Sequence, residues 1–126
     1  MNQFLIPISL GELVDKLTIL EIKSEKFTDS ALQNVRKELL QLKNILSDIE
    51  LDIDKILINE LKEINKKLWD IEDAIRVYES KKLFNEKFIS LARSVYQFND
   101  QRASLKRKIN IKYGSDLIEE KFYSNY

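Results

Sequence analysis

Leucine and isoleucine recur along most of this chain at alternating steps of three and four, the spacing that puts side chains on one face of an α-helix. The first such row, Leu10, Leu13, Leu17 and Leu20, opens on Ser9-Leu-Gly-Glu12. That tetrapeptide predicts a capping box, with Ser9 accepting from the amide three residues on and Glu12 reaching back to the amide of Ser9. A first helix is expected from there to about Lys26. Phe27, Thr28 and Asp29 break the rhythm, and Ser30-Ala-Leu-Gln33 offers a second capping box. The second row, Leu32, Val35, Leu39, Leu42, Leu46 and Ile49, has no miss, and Leu40 and Ile45 widen it beyond a narrow coiled-coil edge.

Around "IELDID", Asp52 is the candidate cap of a third helix with the row Leu57, Leu61, Ile64, Leu68, Ile71, Ile75 and Tyr78, ending near Glu79. "SKKLFN" supplies a turn and Asn85 a cap for a fourth helix, whose row is Phe84, Phe88, Leu91, Val95, Phe98, Arg102, Leu105 and Ile109. Gly114, just past Tyr113, stands where a left-handed residue ends a helix. Short connections make successive helices antiparallel neighbours. The expected fold is all-α: an antiparallel bundle of four main helices in two helical hairpins, the second longer, forming one domain over residues 1–126. "MNQFLIPI" reads as an extended arm docked on the core, and "SDLIEEKFYSNY" as a C-terminal tail docked as a short helical turn. The longer hairpin should overhang the shorter by about two turns. Covering its seam then calls for the arm, the tail or a second subunit, which predicts a homo-oligomer.

The chain has 126 residues, 44% hydrophobic and 33% charged, with two glycines and one proline, a mixture suited to solvated helices and poor in material for tight β-turns. Twenty-one basic residues cancel twenty-one acidic ones, so no net field draws the chain to nucleic acid or an anionic membrane. Cysteine and histidine are both absent, which removes thiolate and imidazole catalysis and the usual zinc sets. The apolar start lacks a basic flank and is soon followed by Glu12 and Asp15, unlike a signal peptide or membrane span, so a cytoplasmic location is expected. Two glycines leave no room for a glycine-rich phosphate loop, and no cofactor is expected.

Candidate chemistry gathers in two stretches. "SVYQFNDQR" (94–102) presents Val95, Phe98 and Arg102 to partner helices, with Asn99 and Asp100 on the flanks. Arg102 at a core-type position calls for a carboxylate, and a turn near residues 81 and 82 would bring Glu60 or Glu63 within reach. The favoured reading is an ion pair that sets register; the alternative is a guanidinium that binds an anion. "LWDIEDAIR" places Glu72 and Asp73 within helical reach of Arg76. Glu60, Glu63, Asp70 and Asp73 have local metal-site spacing, but residues ten apart on a helix lie about 15 Å apart, so no metal site is expected. Glu21 is expected to face Arg36 as a surface pair. Arg102, Lys106, Arg107, Lys108 and Lys112 scatter around their helix and do not form a nucleic-acid face. The polar set offered as a binding site is Glu72, Asp73, Arg76, Arg93, Asn99 and Arg102, with no catalytic residue assigned.

"GELVDKLTILEIK", "LWDIEDAIR", "LARSVYQFNDQRASLKRKIN" and "GSDLIEEKFY" together resemble a family of short bacterial proteins classed as a domain of unknown function, across nearly the whole chain. The resemblance implies a loose link to surface-polysaccharide genes, near which some members lie, and it assigns no residue a role. Two functions are therefore weighed. The leading one is a non-catalytic, oligomeric interaction or assembly protein, a helical bundle that holds a protein partner through the exposed end of its long hairpin. The alternative is a small helical enzyme or binding protein for an anionic metabolite such as a sugar nucleotide, using the polar set above. An interhelical pocket lined by arginine and carboxylates would favour the second, and a dry core with charges paired at its rim the first.

Overall fold

The computed structural model describes residues 2–126, and its regular structure is entirely helical. Four helices follow in order: α1 (Leu10–Lys26), α2 (Asp29–Asp48), α3 (Lys55–Ser80) and α4 (Glu86–Lys112). The chain runs up, down, up, down. α1 lies against each of the other three, α3 packs on α4, and α2 packs on α1 alone. The core is thus α1, α3 and α4 around Leu13, Leu17, Leu57, Leu61 and Ile109, with Val35 and Leu39 of α2 closing it from outside.

Three helix ends follow the sequence closely. Ser9 Oγ accepts from the Glu12 amide, although the Glu12 carboxylate turns to Lys106 instead of back to Ser9. Asn85 Oδ1 accepts from the Phe88 amide. Gly114 takes φ +63° after α4, while the Ser115 amide closes back to the Asn110 carbonyl, the bond that terminates a helix through a left-handed residue. The α3–α4 turn uses the same device, with Leu83 N–H on the Tyr78 carbonyl and Lys82, not a glycine, at φ +55°.

Other ends differ from expectation for local reasons. Only Phe27 and Thr28 separate α1 from α2, so the reversal is made by extended Thr28 and left-handed Asp29 (φ +56°), and Ser30 is already helical. α3 is capped by Asp54, whose Oδ1 accepts from the Ile56 amide, and not by Asp52. Burial of Ile53 carries the extended connection two residues further, and the Tyr113 hydroxyl anchors it at the Asp54 amide. The arm is extended but does not dock: Phe4, Leu5 and Ile6 are 88%, 89% and 74% exposed. Gln3 touches Gln41 of α2, and only Ile8 packs on the core. The tail contains no helical turn.

The overhang is present. Phe27, at the end of the short hairpin, meets the Trp69 ring edge to face, so α3 beyond Trp69 and the facing start of α4 extend past it. All four fully buried residues of α3 lie at Leu57–Asn65, and those of α4 are Lys106, Ile109 and Asn110. Between them the rows Leu68, Ile71, Ile75 and Phe88, Leu91, Val95 are half-buried, and Val77, Leu83, Phe84 and Ile89 at the end are exposed. No helix is long and apolar enough to cross a membrane among the described residues.

Candidate functional site: a polar network beneath a tail-covered groove

The start of α1 lies against the end of α4, and its first three free amides are all satisfied by side chains. Leu10 N–H donates to Ser115 Oγ, Gly11 N–H to Asn110 Oδ1 at 2.6 Å, and Glu12 N–H to Ser9 Oγ. Such donors are orphans in an isolated helix and carry its positive dipole end. Here they are closed. The approach needs Gly11, because a Cβ there would stand 2.5 Å from the Lys106 carbonyl oxygen. Glycine brings the two backbones together where any other residue would hold them apart.

One turn further along, Asp15 is wholly buried, and both its oxygens are used. Arg102 of α4 grips it with two N–H groups, the Nε bond measuring 2.9 Å, and Asn65 Nδ2 of α3 donates at 2.9 Å. Asn65 also donates to Thr18 Oγ1, whose hydroxyl donates to the Asp15 carbonyl. A carboxylate can lie this deep because a bidentate guanidinium and an amide replace its water. The same contact, with charge on Asp15 and Glu12 close by, raises the already high pKa of Arg102. Lys106, next on the α4 face, is buried against Glu12 at 2.7 Å and Glu119 at 3.6 Å.

Arg102 therefore does form an ion pair, but with Asp15 of α1, not with Glu60 or Glu63 of α3. The register argument considered only the sequence-adjacent helix, whereas α1 lies between α2 and the α3–α4 hairpin and supplies the carboxylate. For the same reason Glu21 pairs with Lys62 of α3 at 2.8 Å instead of Arg36. The hydrogen bond and charge of Glu21 raise the Lys62 pKa.

Beyond Ser115 the tail turns back along α4. Glu119 meets Lys106 and Lys121, Glu120 meets Arg107 at 3.0 Å, and the Tyr126 hydroxyl donates to Asp100 Oδ2 at 2.7 Å. The bond from Lys121 and the charges of Lys106 and Lys121 hold the Glu119 carboxyl below its ordinary range. Between tail and helix lies an open groove of about 810 Å³, walled by Tyr96, Tyr123 and Tyr126 and carrying Asn99, Asp100, Arg102, Lys106 and Lys121.

Of the polar set read from sequence, Asn99 and Arg102 line this groove. Arg93 lies one turn away, its Nε 3.4 Å from the Tyr96 hydroxyl. Glu72, Asp73 and Arg76 do not line it; Glu72 and Arg76 form an exposed pair at 3.6 Å within α3, and Asp73 is exposed. No group of three or more carboxylates is placed to hold a metal ion among the described residues. Sequence reasoning missed Asp15, Asn65, Lys106, Asn110 and the tail tyrosines. The available signal was polar residues set close to apolar-row positions, Asp15 between Leu13 and Leu17 and Asn65 directly after Ile64.

No curated protein and no solved structure matches the chain. A family model does match, described as Family of unknown function (DUF6165), over residues 4–126. With the match spanning nearly every residue, the chain belongs to that family.

Proposed function

We propose that the protein is a bacterial, cytoplasmic, non-catalytic assembly protein that self-associates through the overhanging end of its α3–α4 hairpin. The observation that carries this reading is the overhang itself. Two helices side by side cannot enclose their shared seam, and here the seam from Leu68 to Val95 stays half-open with Val77, Leu83, Phe84 and Ile89 exposed beside it. A second copy offering the same surface would complete a four-helix arrangement, the way helical hairpins ordinarily bury both faces. The internal polar network supports a structural role, since Asp15, Glu12, Arg102 and Lys106 are spent on one another. The resemblance to a family some of whose members lie near surface-polysaccharide genes is consistent with such an assembly serving carbohydrate synthesis.

Light scattering behind size exclusion tests this at micromolar concentration. The native chain is expected above its 14.9 kDa monomer mass, and Phe84→Lys with Ile89→Lys at that mass with helicity unchanged. A strict monomer for the native chain sinks the reading. The second reading, a small-molecule site, is favoured by the groove, where Asn99 and Arg102 lie on one wall. An anionic metabolite there would have to compete with Asp15, Glu12 and Glu119 for cations already held.

A further inference from the structure

The groove under the tail has a charge balance of its own. Arg102 is answered by Asp15, Lys106 by Glu12 and Glu119, and Lys121 by Glu119 at 2.8 Å. Three cations thus meet three carboxylates. Asp100, the remaining charged residue of the lining, has no ion-pair partner among the described residues. Its one polar contact is the Tyr126 hydroxyl, a neutral donor that orients the carboxylate without cancelling its charge. That bond, with the adjacent negative charge, raises the Tyr126 pKa above its usual 10.0, so the phenol stays protonated beside the carboxylate.

Against this uncompensated charge stand two aromatic walls. The rings of Tyr96 and Tyr126 meet edge to face, centroids 4.8 Å apart and planes at 84°, forming a corner. Tyr123 lines the same groove. Aromatic faces carry negative potential, and cations are held over them most effectively when weakly hydrated. Arg93 is the nearby cation, and it reaches only the hydroxyl rim of Tyr96 from outside the lining.

We propose that the groove between α4 and the tail binds a small organic cation, a quaternary or heavily alkylated ammonium compound, with its charged group between Asp100, Tyr96 and Tyr126. A divalent metal ion fits poorly, because it needs several oxygens and gains little from ring faces. An anion meets the wrong free charge. The groove is far larger than an ammonium head, so the ligand carries a body that extends along Asn99, Ser124 and Asn125. Binding here does not require self-association at the hairpin end, although Val95 borders both surfaces.

Choline chloride titrated into the whole chain, followed by amide chemical shifts, tests the proposal. Saturable binding in the millimolar range is expected, with shifts at residues 96–100 and 123–126. The uncharged isostere 3,3-dimethylbutan-1-ol should bind about tenfold more weakly. Asp100→Asn and Tyr96→Ala should each weaken choline by about tenfold, and Tyr96→Phe should restore it. All three substitutions are at exposed positions, and unchanged thermal melting confirms the fold. Equal binding of the neutral isostere, unaltered affinity in Asp100→Asn, or no saturation by tens of millimolar choline overturns the assignment. Sedimentation with phosphatidylcholine vesicles that free choline does not compete away also overturns it, by making the surface a membrane contact.

Discussion

Replacing Arg102 by methionine would leave Asp15 charged, 1% exposed, and held only by the Asn65 amide. Removing one partner of a buried pair costs about 3–5 kcal/mol, because the remaining charge has lost both water and counter-ion. That is a large share of the roughly 5–15 kcal/mol available to a domain. The reverse substitution, Asp15→Asn, leaves the guanidinium unpaired, but Arg102 is 29% exposed and can turn toward solvent. Its cost should fall to about 1–2 kcal/mol, near that of an ordinary buried hydrogen bond. The double variant should be more stable than Arg102→Met alone, since the amide removes the stranded charge. A coupling of at least about 1 kcal/mol is expected between contacting members of one network. Urea unfolding followed by helical circular dichroism measures all three, provided the slope against urea is shared. Equal losses in the two single variants, or a double variant that simply adds them, would refute the idea that Asp15 is the dependent partner.

Gly11→Ala should destabilise by about 1–3 kcal/mol, the cost of overpacking, because its Cβ would meet the Lys106 carbonyl oxygen. Helix propensity alone predicts a gain of about 1 kcal/mol, so a raised melting temperature would refute the close approach. Acid should release the tail through Glu119, whose folded pKa is depressed below the usual 4.5. For a depressed carboxylate the stabilisation is complete above the unfolded value and disappears as pH falls through the folded one. Backbone heteronuclear NOEs of residues 117–126 should therefore fall only below that usual value, and Glu119→Gln should show them low already at neutral pH; release centred above it would contradict the assignment.

Much of the architecture is legible in the rows themselves, because a helix of this length declares its buried face through local spacing alone. Ser9, Asn85 and Gly114 were readable for the same reason: capping is decided within four residues. The helix starts that were misread, at Ser30 and Asp52, depend on how tightly the chain reverses and on where Ile53 is buried, which are tertiary facts. The junction was hidden more deeply. Asp15 meets Arg102 across 87 positions of sequence, and its pairing requires knowing that α1 as well as α3 lies beside that part of α4. Arg102 itself stood out as a charge in an apolar row; Gly11 and Asn110 gave only the weak sign of a glycine and an amide at the ends of good helices. The groove was not legible at all, since it depends on a tail without periodicity folding back along α4.

The clasp between the two ends of the fold has a consequence for biosynthesis. Amides at positions 10 and 11 wait for acceptors at 115 and 110, so a chain emerging from the ribosome exposes its first helix long before the groups that finish it have been made. The α1–α2 hairpin can form early, but only as a provisional structure. The start of the first helix gains its last two partners only once Asn110 and Ser115 have been made.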